Sequence, residues 1–257
     1  LMRAGDKGET SEVKQWGLTA LANLANSDDN AVPMFAKPGL VEVLMRAGDK
    51  GETSEIKQHA LRTLANLSAT PDNAVPMFAK PGLVEMLMRA VDKGESSEIE
   101  SLGLRALANL ALAADNRGPM FAKAGLVEML MRVVDNGEIT PYGFAVLHLL
   151  SLTPAIKAPM VQKHAALVDF LVAACGSADV FVQGYALCLL GSLAVDSSNK
   201  VVLFRTNKLV DVLVQVVESG PDNTDIKARA LLVLGNLVHR VRENQVALFG
   251  RAGFVEL

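Results

Sequence analysis

Leu1-Met2-Arg3-Ala4-Gly5-Asp6-Lys7-Gly8-Glu9-Thr10-Ser11-Glu12 returns unchanged as Leu44-Met45-Arg46-Ala47-Gly48-Asp49-Lys50-Gly51-Glu52-Thr53-Ser54-Glu55. It returns again from Leu87 with two changes, and Leu130-Met131-Arg132-Val133 opens a fourth copy, each step being 43 residues. Residues 1–43 and 44–86 differ at only ten of 43 positions. A fixed period of this length marks a solenoid, because one such unit cannot bury its apolar face alone and stacks on its neighbours to do so. A stacked array offers a long ridged surface, which suits binding better than the chemistry of a single pocket.

Composition agrees. Half of the 257 residues are apolar but only 5% are aromatic, so the core must be aliphatic. Alanine and leucine suit stacked helices, the first permitting close approach and the second filling the gaps. With 25 basic and 28 acidic residues the net charge is −3. No global field recruits nucleic acid or anionic lipid. No apolar run reaches the ~20 residues of a membrane span, and no signal peptide is visible. Cys175 and Cys188 are too few for a disulfide framework and read as residues of a reducing compartment, cytoplasmic or nuclear. The chain begins with Leu1 rather than Met, and is expected to be a piece of a longer protein.

One period resolves into three helices. Asp29-Asn30 offers an N-cap ahead of Ala31-Val32-Pro33-Met34-Phe35-Ala36, with Pro33 expected in the first turn. Pro38-Gly39 breaks this short helix. A second helix follows over Leu40-Val41-Glu42-Val43-Leu44-Met45-Arg46-Ala47 and is expected to stop at Gly48. After a polar loop, Ser54 is a credible cap for a longer third helix with Ile56, Ala60, Leu61, Leu64 and Leu67 on one face.

The third helix aligns the whole chain. Its core reads Gly17-Leu18-Thr19-Ala20-Leu21-Ala22-Asn23-Leu24, and the same register ends at Leu67, Leu110, Leu152, Leu193 and Leu237, steps of 43, 43, 42, 41 and 44 residues. Three helices per ~42-residue unit, with Ala-Leu-x-x-Leu-Gly/Ala-Asn-Leu in the third, resemble the armadillo repeat. The two-helix HEAT repeat is the nearest rival, and the Pro-Gly break argues against it. The resemblance implies an all-α, right-handed superhelical α-solenoid over 1–257. It places a third helix alone in 1–28, complete repeats at 29–70, 71–113, 114–154, 155–196 and 197–241, and a partial repeat over 242–257, where Phe254-Val255-Glu256-Leu257 begins another second helix.

In armadillo proteins the third helices line a concave groove, and the signature asparagine bonds the main chain of an extended peptide. Carried over, those positions are Asn23, Asn66, Asn109 and Asn236, with Ser151 and Ser192 in the fourth and fifth copies. A carboxamide both donates and accepts, so it can pair with any peptide bond. The alternative is that these asparagines cap or bridge neighbouring repeats. Residues four and seven places earlier share the face. The minus-four row is Thr19, Arg62, Arg105, Leu147, Cys188 and Leu232, and the minus-seven row is Trp16, His59, Leu102, Phe144, Tyr185 and Arg229. Importin-alpha-like proteins carry tryptophan at minus-four to hold basic cargo. Arg62 and Arg105 stand there instead and would repel it. These residues predict a bipartite groove: arginines for an acidic or phosphorylated segment, and Phe144 and Tyr185 for an apolar anchor. Trp16/His59 and Thr19/Arg62 are among the ten differences between copies one and two, as expected of a diversifying surface or of solvent positions free to drift.

Catalytic machinery is not in evidence. His59, His148, His164 and His239 lie on different repeats without partners at metal-ligand spacing. No phosphate loop appears, and Asp49-Lys50-Gly51-Glu52 lacks the ligands of a calcium loop and reads as a solvated turn. No cofactor is expected. Two functions fit: a scaffold for a protein or extended peptide, or a structural subunit whose loops at 6–12, 49–55 and 92–98 meet a periodic partner. A third is the targeting region of a larger enzyme.

Overall fold

In a computed structural model, residues 1–7, 10–93, 95–135, 140–206, 208–219 and 223–251 are described; among them lie eighteen helices and no strand. The expected second helix at Phe254-Val255-Glu256-Leu257 lies outside the described residues, as do parts of the 6–12 and 92–98 loops. The chain forms two compact halves, Leu1–Val146 and Leu147–Leu257. The N-terminal half holds α1 (Met2–Lys7), α2 (Ser11–Leu24), α3 (Asp28–Phe35), α4 (Leu40–Lys50), α5 (Ser54–Ala69), α6 (Pro71–Phe78), α7 (Leu83–Asp92), α8 (Ser97–Leu112), α9 (Ala114–Phe121) and α10 (Leu126–Asp135). Helix α11 (Thr140–Ser151) runs across the boundary. The C-terminal half holds α12 (Pro154–Lys163), α13 (Ala165–Cys175), α14 (Val180–Leu193), α15 (Ser197–Arg205), α16 (Leu209–Ser219), α17 (Thr224–Val238) and α18 (Arg242–Phe249). Within each half the order is short helix, second helix, third helix. Third helices α2, α5 and α8 stack in series, as do α14 and α17, each lying against its own second helix.

Local chemistry sets these boundaries, with four differences from the sequence reading. The short helix begins at Asp28 after Ser27 as N-cap, so Asn30 is inside it and donates to Leu24 O (3.1 Å) rather than capping. Pro33 therefore sits in the second turn, within the helix. Gly48 does not end the second helix. It is buried, packed against Leu61, and α4 continues to Lys50 because leaving the helix there would open that contact. The third helix is capped one residue early, by the Thr53 hydroxyl accepting from Ile56 N (3.3 Å), with Thr10 and Ser96 repeating the arrangement in α2 and α8. The break after the short helix stands as read: Gly39, Gly82 and Gly125 adopt φ of 78–79°, a left-handed turn that other residues resist.

The core is aliphatic. Leu18, Leu61, Leu64, Leu67, Leu104, Leu107 and Leu110 in the N-terminal half, and Leu187, Leu190, Leu193, Leu234 and Leu237 in the C-terminal half, are buried along the third helices. Buried asparagines hold the layers in register. Asn73 Nδ2 donates both to Leu67 O (3.0 Å), near the end of its own preceding third helix, and to Ala31 O (3.1 Å) in the short helix one repeat back. Asn116 does the same to Leu110 O and Ala74 O, Asn199 to Leu193 O and Lys157 O, and Asn244 to Leu237 O and Lys200 O. Carbonyls in the last turn of a helix have no partner within it, and each asparagine supplies one. The fourth copy puts Ile156, buried, at this position.

Ion pairs repeat with the same period. Arg46, Arg89 and Arg132 of the second helices reach Asp6, Asp49 and Asp92 one repeat earlier. Lys80 and Lys123 reach Glu42 (2.9 Å) and Glu85 (2.6 Å), and Arg251 reaches Asp211. Lys14 and Lys57 join the loops through Glu52 and Glu95. The stretch Asp49-Lys50-Gly51-Glu52, read as a solvated turn, is thus tied into the stack through Asp49 and Glu52. Lys80 holds the Glu42 carboxyl below the usual carboxylate range, and Lys123 does so for Glu85. Exposed pairs are individually weak; their service is to fix which residues meet.

Asn116→Ala removes two bonds to buried carbonyls and is expected to lower stability by about 1–3 kcal/mol. Asn30→Ala, which removes one, should cost less. Urea unfolding of the two variants checks the order, and equal midpoints would contradict the bridging role.

Candidate functional site

The signature asparagines are placed on the third helices as read, but their carboxamides work between repeats. Asn66 Nδ2 donates to Ala22 O (3.1 Å), Asn109 Nδ2 to Ala65 O (2.9 Å) and Asn236 Nδ2 to Gly191 O (3.2 Å), each one repeat back. Asn23, in the first copy, is exposed and makes no such bond. The bridging alternative therefore describes Asn66, Asn109 and Asn236, and what remains for a ligand is chiefly their oxygens, of which Asn66 Oδ1 already accepts from Arg105.

Four residues expected on the open face, Leu102, Phe144, Leu147 and Ser151, are not there. Phe144 and Ser151 are fully buried, as is Leu147 beside them on α11. Ser151 Oγ bonds His148 O (2.6 Å) and lies 2.9 Å from Ser192 Oγ. Ser192 is half-buried and accepts from Lys157 Nζ through both Oγ (2.8 Å) and its carbonyl (2.9 Å). The cause is visible along the minus-seven row. Trp16 is exposed, His59 half-buried, Leu102 and Phe144 buried. The apolar members Leu102 and Phe144 are buried, whereas Tyr185 and Arg229 of the same row stay half-exposed.

The arginine half of the reading comes together. Arg62, Arg105, Asn23 and Asn66 line one concavity of about 390 Å³ with Ala22 and Asn26, and no carboxylate is among them. Arg105 Nη2 donates to Asn66 Oδ1 (2.8 Å), which fixes the guanidinium in the floor, while Arg105 Nε is buried without a hydrogen-bond partner. Arg62 lies at the rim, paired with Glu98 (2.9 Å). His59, one turn above Arg62, has its Nδ1 buried without a partner; burial first, then the Arg62 charge, push its imidazole below the usual 6.5, against a smaller pull from Glu55. Asn26 was missed as a lining residue, although it is one of the ten positions that separate copy one from copy two.

The C-terminal half has a second concavity, of about 310 Å³, where Tyr185 and Arg229 meet Phe181, Gly184 and Cys188. Arg229 Nε donates to Asp225 Oδ2 (2.7 Å) and its Nη1 contacts Cys188 Sγ. Phe181 is 77% exposed. Sequence reading stopped two turns before the signature position and missed it; eleven residues before Ser192, one turn further, it shares the same face. Cys175, by contrast, is buried and its thiol is pushed up to about 12, which leaves it inert. No cluster of three or more metal-ligating side chains occurs among the described residues, and no single helix is long and apolar enough to cross a membrane.

No protein-family model and no curated protein matches the sequence. Solved structures do. A computationally designed armadillo repeat protein for modular peptide recognition superposes with a TM-score of 0.80 at 18% identity, over 91% of this chain and 98% of that one. A designed armadillo repeat protein in complex with the peptide (KR)4 gives 0.79 at 16% identity, over 92% and 98%. UNC-45 from Drosophila melanogaster gives 0.72 at 18% identity, over 98% of this chain and 32% of that one. The fold is therefore that of an armadillo-type helical repeat.

His59 links the site to pH. The unfolded chain protonates it near 6.5 and the folded chain resists, so its contribution to stability is complete above pH 6.5 and is lost as pH falls below it. Wild type is expected to lose more stability between pH 7.5 and 5.5 than His59→Gln, measured by urea midpoints at the two pH values.

Proposed function

We propose that this armadillo-type solenoid is a non-catalytic interaction scaffold that holds an extended, acidic or phosphorylated peptide along its third helices, inside the cytoplasm or nucleus. The observation that carries the reading is the concavity of the N-terminal half: two guanidinium groups and three carboxamides converge there without a lining carboxylate. A carboxylate or phosphate would accept from the accessible guanidinium N–H groups while neutralising their charge. Arg62 would exchange Glu98, an exposed partner, for the ligand.

The structural neighbours support a peptide-holding use of this fold, and one of them is a complex with the basic peptide (KR)4. The sign of the charge here calls for the opposite kind of ligand. In the C-terminal half, Phe181 and Tyr185 would seat an apolar or aromatic side chain. The competing reading, a repeating loop edge for a periodic partner, is disfavoured because Asp49, Glu52 and Glu95 spend their charges on neighbouring repeats.

Fluorescence anisotropy with a glutamate-rich peptide and its phosphoserine counterpart tests the proposal. Binding should weaken with salt, and Arg62→Glu with Arg105→Glu should lower affinity at least about tenfold, the scale of losing charged hydrogen bonds. Unchanged affinity in that variant, or tighter binding of a lysine-arginine peptide by wild type, would overturn it.

A further inference from the structure

A cavity of about 460 Å³ lies along α7, α10 and the turn before α10, larger than either concavity on the third helices. Met88, Met129, Ala124 and Gly125 form its apolar lining, with Met129 buried and Met88 half-buried. None of its lining residues lies on a third helix, so it stands apart from the proposed peptide site.

The repeats share a backbone here but not its filling. Gly39, Gly82 and Gly125 hold the same left-handed turn at φ of 78–79°. A side chain begun at Gly39 would meet the Met2 methyl carbon at 3.9 Å, and one begun at Gly82 would meet that of Met45 at 3.8 Å. At Gly125 nothing lies within 4 Å, although Met88 stands in the same register as Met2 and Met45. The sequence differs beside the glycine. Pro38 and Pro81 give way to Ala124, which lacks the ring. The thioether that closes the turn in two repeats stands back from it in the third.

The rim restricts what can enter. Lys123 pairs with Glu85 (2.6 Å), Arg132 with Asp92, and Arg89 with Asp49 (3.1 Å), and Glu128 is not free either. An anion would have to take a cation from one of these carboxylates, and a cation would have to do the reverse. Either would also bring its charge against methionine and lose hydration there. An uncharged ligand displaces none of these partners. The two methionines favour an aromatic one, because a thioether is polarisable, adapts its shape to a guest and is attracted to a ring edge. An apolar interior of this size with polar groups around it falls in the range of small-molecule sites.

We infer that this cavity is a binding site for a small uncharged aromatic molecule, held between Met88 and Met129 and admitted by Ala124. The test titrates the full chain, with isotope-labelled methionine methyl groups, against indole, the anion indoleacetate and the cation tryptamine. Indole should move the Met88 and Met129 methyl resonances and leave that of Met45 in place. It should bind at least about tenfold more tightly than either charged analogue. Ala124→Pro restores the residue that the first two repeats carry beside the same turn, so the fold is kept; it should weaken indole at least about tenfold. Unmoved Met88 and Met129 methyls, equal affinity in Ala124→Pro, or a charged analogue binding as tightly as indole would overturn the inference. So would a capped tripeptide with a central tryptophan that binds at these methyls more tightly than indole, since the ring would then arrive on a partner chain.

Discussion

A backbone carbonyl in the last turn of a helix needs a donor from outside that helix, and in this protein an asparagine of the next short helix supplies it. Asn73, Asn116, Asn199 and Asn244 each hold such a carbonyl and, with the same amide group, a second carbonyl one repeat away. The bonds fix the height of each repeat against its neighbour. Leucine packing alone would leave that height loosely defined, because aliphatic surfaces slide at little cost. Once it is set, the ion pairs fall into line and the third-helix asparagines reach their carbonyls.

That constraint explains the division of labour on the third helices. Asn66 and Asn109 look like peptide-binding groups by position, and the same position brings their amides onto the previous repeat. Their oxygens stay available, and Arg105 uses one of them to brace itself. The guanidinium is held by the scaffold, so a ligand meeting it would not have to order it. Binding chemistry and stacking chemistry share one side chain.

The repeat period, the three-helix unit and the Pro-Gly break were legible in the sequence because each follows from local rules: spacing, capping and a left-handed turn. The cap at Thr53 and the continuation of α4 through Gly48 were less so, since Gly48 is kept helical by Leu61, a contact no local pattern announces. At the candidate site, Arg62, Arg105, Asn23 and Asn66 were found because they vary or recur at one register. Phe144 and Ser151 were misplaced for a physical reason. Helical periodicity says which residues share a face of one helix, but not how far the neighbouring helices cover that face. The covering is a property of the stack: it takes in Leu102 and Phe144, and it leaves Trp16 exposed and Tyr185 and Arg229 half-exposed.

The bonds between repeats join residues 35–45 positions apart, and in the first three copies the bridging asparagines and the Arg–Asp pairs are chemically interchangeable. Removing or inserting one 43-residue block there would leave every donor facing an equivalent acceptor. Length in this part of the molecule is therefore close to a neutral variable: unequal recombination among the near-identical copies could lengthen or shorten the array without a misfolded intermediate form. The fourth copy, with Ile156 in place of the bridging asparagine, does not share this freedom. Exchange at that point would strand a carbonyl, and the diverged repeat acts as a boundary to the part of the chain in which copy number can drift.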